Sequence, residues 1–583
     1  MKINMKIRNP TKKVSLLFTV LPFFSNAVFG PQGRQLTFGI NNNSHFVSTN
    51  STSKQIVEMD LEQRINQYKP TKLSADLSHL SKNDIQAAKK LVKVAKLVDS
   101  IYFKQLWKGC LALRDRLESQ KDVGKKECLE YKFFMIQRGP WDGADSDKPF
   151  IEGVPEMPPG ANVYPEDMTK EEFEAFVKTL SQTDKKHATG FYHSIVRNPD
   201  GTLGIQKYSE AYKEFLVPAA KLMQEASELV TNESFKRFLK SRGESFLTNE
   251  YIKSEVDWLQ VDGNSPMEVA VGPYEVYKDS LFASKSFFEI YIHARDFKST
   301  AQLDKFTSSL RYIESRLPVP DNYKNTELKP PTIVVVNQLY SGGDVSVPMT
   351  AAYNLPNDEE ATDIGGSKLT LIKNVQEGKF KSVLTPISKI VLDESQQQSV
   401  DFDAFFTHVL LHEVAHSNGP SYIVSDPKVT VRSRMQEFHS TLEEAKADIV
   451  GLFAARQLVE NGVIEDVSTE QFYITYLASA FRSIRFGLNE AHGRGQAIQL
   501  NFLIDQGGFE YNKENKTFKV NFDKIDKAVE RLVEAIILIQ GNGDKSAAES
   551  FVGKYGINRD YTVGMLESLV GVPVDIQPVW EEL

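Results

Sequence analysis

Residues 408–420 read His-Val-Leu-Leu-His-Glu-Val-Ala-His-Ser-Asn-Gly-Pro. Within them, His412-Glu413-Val414-Ala415-His416 carries two imidazoles four residues apart. A helix places both on one face, so they can address a single ion. Glu413 directly follows the first histidine and is placed to act as general base on a water at that ion. The flanks agree with a helix. Phe405, Phe406, Val409 and Leu410 supply an apolar face, and Ser417-Asn418-Gly419-Pro420 is a stop signal. The competing reading is a solvated helix face with two incidental histidines. Only ten His occur in the chain, which makes a chance match rare. His408 lies one turn earlier on the same face. From there to His416 a straight helix spans about 12 Å, too far to close on one ion, so His408 is read as packing or as support for a ligand.

A catalytic zinc takes three protein ligands and keeps one position open. The next helical stretch, Thr441-Leu442-Glu443-Glu444-Ala445-Lys446-Ala447-Asp448-Ile449-Val450-Gly451-Leu452, supplies the candidate. Glu444 and Asp448 are four apart and share a face, Glu444 as the metal ligand. Asp448 suits the role of accepting a ligand histidine's Nδ1 proton, and Glu443 can do likewise. An ordinary amphipathic helix with a solvated acidic side is the duller alternative.

Working outward, 583 residues are too many for one compact core and imply two or more lobes. The chain is 41% hydrophobic and 25% charged, as in a globular protein. With a net charge of −8 and scattered Lys and Arg, nothing forms a footprint for nucleic acid. Beyond the N-terminus no apolar run reaches bilayer-spanning length, which argues against an integral membrane protein. Cys110 and Cys128 are too few for a disulfide framework; they form one bridge in an exported protein or remain two thiols.

The N-terminus reads as a signal peptide over 1–27. Lys2, Lys6, Arg8, Lys12 and Lys13 precede an apolar run from Val14 to Phe24, and Ser25-Asn26-Ala27 offers a small-residue cleavage site. This predicts an exported protein, periplasmic or secreted. Residues 28–70 read as a flexible polar lead-in. Helical spacing is expected from Lys72 to Leu117, and a loop-rich stretch follows across 139–168. Thr169 begins a capping box with Glu172 reaching back. Helix resumes to about Leu247. The β-branched segment Thr332–Tyr340 reads as a buried strand, with shorter strands expected at Val345–Tyr353 and Lys368–Lys373. Helix dominates again after Val400. The expected fold class is α+β, predominantly helical.

Together, the HExxH and Glu443-Glu444-Ala445-Lys446-Ala447-Asp448 resemble the dipeptidyl peptidase III family of zinc exopeptidases, whose second signature is EE-x-[RK]-A-[ED]. Three further stretches are similar to the family: Tyr274-Glu275-Val276-Tyr277-Lys278-Asp279 to its E-x-Y segment, Tyr353-Asn354-Leu355-Pro356-Asn357-Asp358 to its N-[IL]-P-N segment, and Glu490-Ala491-His492-Gly493-Arg494-Gly495-Gln496 to its E/Q-A-H segment. The likeness extends over roughly residues 90–583 and is greatest to the bacterial and plant-type members, which share the five-residue HExxH where better-known members have HExxGH.

The resemblance implies one Zn2+ per chain on His412, His416 and Glu444, with Asp448 and Glu443 behind the ligands. It further implies Glu413 as base, Tyr277 and His492 as stabilisers of the transition state, and Glu275, Asn354 and Asn357 as contacts for the N-terminal end of an oligopeptide substrate. Read without the family, Tyr277 is equally a core tyrosine, the two Asn a turn around Pro356, and His492 a loop or helix histidine. The family's shape implies two lobes separated by a cleft. The lower lobe, 71–295 plus 336–385, would contain a small β-barrel, and a helical zinc-bearing lobe would comprise 296–335 plus 386–583. The expected activity is dipeptide release by a zinc-activated water. The alternatives are a zinc endopeptidase or other amide hydrolase without N-terminal anchoring, and a non-catalytic peptide-binding protein.

Overall fold

In the computed structural model, residues 60–145, 147–328, 332–345 and 347–583 are described. The signal peptide expected over 1–27, and the lead-in as far as residue 59, lie outside them. Residues 60–70 are not a flexible lead-in. Leu61–Ile65 is a helix capped by Asp60 and Gln63, and Tyr68–Lys72 pairs in parallel with Asp575–Val579. The two ends of the described chain are thereby tied together.

Helix α1, Lys82–Leu106, begins where Ser81 accepts from Asp84 N and Asp84 accepts in return from Ser81 N. The helical spacing expected from Lys72 therefore starts ten residues later, after an extended segment. Leu91, Val94, Ala95, Val98 and Tyr102 form its buried stripe. Cys110 and Cys128 lie on the next two helices as free thiols. At Thr169 the N-cap bond forms, but Glu172 does not complete the box. Its carboxylate pairs with Arg197, a charge-assisted contact that outcompetes a lone backbone N–H.

Five strands make one curled sheet: β1 Met267–Glu275, β2 Phe287–Arg295, then, after helix α2 Phe297–Arg316, β3 Thr332–Gly343, β4 Ala352–Leu355 and β5 Lys368–Ile372. Their order is β1-β2-β3-β5-β4, parallel only between β3 and β5. The small barrel is thus an open half-barrel with β1 and β4 at its edges. The strand expected over Val345–Tyr353 is shorter and later, beginning at Ala352.

Alternate residues of β3 face two different cores. Ile333 and Val335 join a helical core built from Leu303 to Val572, whereas Val334 and Val336 join a second core built from Leu73 to Val375 together with Ile576. The sheet therefore stands between the two lobes, and α1 packs across β2 and β3 on the second-core side. The helical lobe carries α3 Phe402–Ala415, α4 His439–Glu460, α5 Thr469–Ile484, α6 Ala491–Asp505 and α7 Ile525–Asn542, with α4 against α3, α6 and α7. The C-terminal strand returns to the other lobe, where Ile576 is buried. Among the described residues, no helix is long and apolar enough to cross a membrane.

Candidate metal centre and peptide subsite

Helix α3 starts at an Asp401 cap, whose carboxylate accepts from Ala404 N (2.9 Å), and is buried nearly all round. His416 follows its last turn with φ −56° and ψ −29°, still helical, so the i, i+4 relation to His412 holds. The chain then turns away at Gly419, which takes φ +76°. Glu314 of α2 holds this turn, accepting from Asn418 Nδ2 (2.6 Å) and Gly419 N (3.1 Å).

The two histidines are oriented from behind by α4. His412 Nδ1 donates to Asp448 Oδ1 at 2.6 Å, and His416 Nδ1 donates to Glu443 Oε1 at 2.9 Å. Both carboxylates are themselves fixed. Asp448 Oδ2 accepts from Gln496 and Gln499 of α6 (2.6 and 3.1 Å), and Glu443 meets Lys446 Nζ (2.9 Å) and Gln540 Nε2 of α7 (3.3 Å). Burial opposes ionisation of Asp448 and Glu443, yet His412 beside the first and Lys446 beside the second hold both below the usual carboxylate range. His408 stays out of the donor set: its Nε2 lies 2.9 Å from the Asp448 carbonyl.

With both Nδ1 protons directed at carboxylates, the Nε2 atoms of His412 and His416 converge at 3.1 Å. Glu444 Oε2 lies 3.3 Å from the first and 3.8 Å from the second. It is buried and makes no well-directed hydrogen bond among the described residues. All three donor atoms fall within 4.8 Å of one another. Two imidazole lone pairs facing each other, with a carboxylate oxygen beside them, require a positive charge between them. Four carboxylates, of Glu413, Glu443, Glu444 and Asp448, surround that point. Burial alone would depress the His412 pKa; Asp448 and Glu444 instead raise it to about 10. Glu444 is pulled down to about 2 against its burial, chiefly by His492 and His412. Two nitrogens and one carboxylate oxygen form the donor set that a tetrahedral Zn2+ with one open position accepts.

Glu413 and His492 complete this cluster. Glu413 is 2% exposed, its Oε1 has no hydrogen-bond partner among the described residues, and burial pushes its pKa up. His492 sits at the start of α6, where Glu490 caps the helix by accepting from Gly493 N (2.7 Å). Its Nδ1 lies 3.2 Å from Glu444 Oε2. It is thus part of the centre rather than a bystander.

Glu275 and Asn354 belong to the sheet, and Tyr277 and Asn357 follow just after strands β1 and β4. Glu275 ends β1, Asn354 lies on β4 opposite Leu369, and Asn357 donates from Nδ2 to the Tyr274 carbonyl at 3.1 Å. Burial raises Glu275 to about 7, with Asn357 acting against the rise and Asp344 adding to it. Tyr277 is raised too, by burial and then by Glu275, Glu289 and Asp344. The sequence reading missed those last two acids, which are also buried and raised, so three carboxyl groups gather at this end of the sheet. It also gave no role to Lys446, Gln496, Gln499, Gln540 or Glu314. The i, i+3 spacing of Gln496 and Gln499 is a sequence signal for one shared face.

Residues 167–420 match the profile of peptidase family M49. The chain is 39% identical over 573 residues to Nudix hydrolase 3 of Arabidopsis thaliana, covering 90% of this chain and 74% of that protein. Among solved structures, it resembles DPP III from Caldithrix abyssi with a TM-score of 0.84 and 38% identity, covering 89% of this chain and 99% of that one. DPP III from Corallococcus sp. strain EGB gives a TM-score of 0.71 and 41% identity, covering 89% and 96%. The structural likenesses each cover 89% of the chain, and the family profile takes in His412, Glu413 and His416. The chain belongs to the dipeptidyl peptidase III family, peptidase family M49, and is a metallopeptidase.

Proposed function

We propose that the protein is a zinc-dependent dipeptidyl peptidase, releasing two residues at a time from short peptides with a free N-terminus. The observation that carries this reading is the buried Glu413, whose Oε1 has no hydrogen-bond partner among the described residues, beside the convergent His412, His416 and Glu444 donors. Those three residues would hold a zinc ion, and the chemistry it would supply is polarisation of the scissile carbonyl and acidification of the attacking water. Glu413 takes that water's proton and passes it to the leaving amine. Tyr277 and His492 donate to the carbonyl oxygen as charge develops there. Asp448 and Glu443 hold the two rings in the tautomer that points Nε2 at the metal.

Glu275, with Asn354 and Asn357, takes the substrate's terminal ammonium. The carboxyl groups gathered at that end of the sheet support this assignment. Anchoring the amine fixes how many residues lie before the scissile bond, and so gives an exopeptidase outcome. About a quarter of the plant relative lies outside the match, and the activity in its name is assigned to no residue of this chain.

The test is mass spectrometry of products from one short peptide, free and N-acetylated. Stepwise loss of residue pairs from the free peptide alone supports the reading. Internal cuts in both peptides would keep the metal chemistry and overturn the amine anchor. We also propose export directed by residues 1–27, from the basic start and apolar run. N-terminal sequencing of the mature protein tests this, with residue 28 expected first.

A further inference from the structure

We infer that Asp279 is a positioning residue that holds Tyr277 in place, an assignment that rests on the role given to Tyr277 above. Tyr277 does not lie on a strand. It sits in the eleven-residue connection 276–286 between β1 and β2, longer than a tight hairpin loop. Tyr277 and Lys278 are the central residues of a turn closed by Asp279 N donating to the Val276 carbonyl at 3.0 Å. The residue that closes the turn also clamps it.

The Asp279 side chain is buried, 2% exposed, and accepts five hydrogen bonds. Oδ1 takes Leu281 N and Phe282 N, both at 3.1 Å. Oδ2 takes Ser284 N (2.9 Å), Lys285 N (3.0 Å) and Tyr164 Oη (3.0 Å). A carboxylate so fully engaged has no lone pair left for a substrate, so any effect on the reaction passes through the loop. The loop is in turn fastened to the body. Ser280 N donates to the Pro159 carbonyl at 2.8 Å, and the buried Lys285 Nζ donates to the carbonyls of Ala188 (2.6 Å) and Gly190 (2.9 Å). The Tyr164 ring is wedged at 5.8 Å from both Phe173 and Phe282. Asp279 thus converts a long connection into a rigid mount for one phenol. A displacement of about 1 Å in a catalytic group can cost on the order of 100-fold in rate.

The experiment compares kcat, KM and melting temperature for Asp279→Asn, Tyr277→Phe, their double variant, and Tyr164→Phe with and without Tyr277→Phe. The substrate is a short free-N-terminal peptide and the protein is zinc-loaded. Tyr277→Phe is expected to lower kcat about 100-fold, as loss of one oxyanion donor does. Asp279→Asn should lower kcat about 10-fold or more with KM nearly unchanged, and lower it no further in the Tyr277→Phe background. Wild-type kcat in Asp279→Asn, or losses that multiply in the double variant, overturn the inference. If Asp279→Asn does not fold, Tyr164→Phe removes one of the five donors and should show a smaller kcat loss that vanishes beside Tyr277→Phe. The same loss in both backgrounds overturns it. Full kcat in Tyr277→Phe instead removes the role of the tyrosine itself, a separate failure.

Discussion

Gly451 of α4 lies directly against the backbone of His412 on α3: a Cβ at Gly451 would stand 3.1 Å from His412 N and 3.3 Å from its Cα. The missing side chain sets how close the two helices come. That approach lets Asp448 and Glu444, both on α4, reach the His412 ring. Gly495 of α6 makes a similar approach to α4, where a Cβ would lie 3.4 Å from Ala445 N.

Replacing Gly451 with Ala is therefore expected to push α3 and α4 apart. The neighbouring atoms are main chain and cannot rotate away, so overpacking should cost roughly 1–3 kcal/mol, offset in part by the roughly 0.5–1 kcal/mol that Ala gains over Gly inside a helix. Thermal melts of metal-free protein should show the loss, and zinc competition titration should show weaker binding. An unchanged melt would mean that the helices separate freely.

Asp448→Asn leaves the His412 ring without its anionic acceptor and presents an amide to Gln496 and Gln499. Zinc affinity should fall by about 10–100-fold, as on loss of such an outer partner. A chelator competition titration measures it. Retained affinity would show that the ring is oriented by packing alone.

Glu413→Gln keeps size and burial but removes the base. Turnover should fall by about 100- to 10,000-fold while zinc stoichiometry stays at one per chain. Single-turnover assays with metal analysis on the same sample check both halves; substantial residual turnover would remove Glu413 from the mechanism.

The pH dependence follows from Glu275. Burial raises its pKa to about 7, so the carboxylate gains a proton as pH falls through that value and loses its attraction for an ammonium. A peptide's terminal amine loses its own charge above about 8. KM for free-N-terminal peptides should therefore rise below pH 7 and again above pH 8. In Glu275→Gln the acid limb should disappear and KM should be raised throughout. A KM flat across pH 5–8 in the unsubstituted protein would remove Glu275 from amine binding.

Local periodicity made part of this protein legible from its sequence. His412 and His416 share a helix face because a 3.6-residue turn requires it, and the same geometry aligns Glu444 with Asp448. Strand Thr332–Gly343 stood out through its β-branched run. Strands Met267–Glu275 and Phe287–Arg295 were passed over, although Glu289, Tyr291, His293 and Arg295 alternate with Ile290, Ile292 and Ala294; there the polar side chains are buried rather than turned to solvent. Tertiary packing decided the rest. It assigned Asp448 to His412 and Glu443 to His416, brought His492 from α6 to within 3.2 Å of Glu444, and turned Glu172 from its own helix cap to Arg197. Each of those outcomes joins residues 25 or more positions apart, or depends on helix separations set by Gly451 and Gly495. Helix periodicity fixes which side chains share a face; only the packed lobe fixes what that face meets.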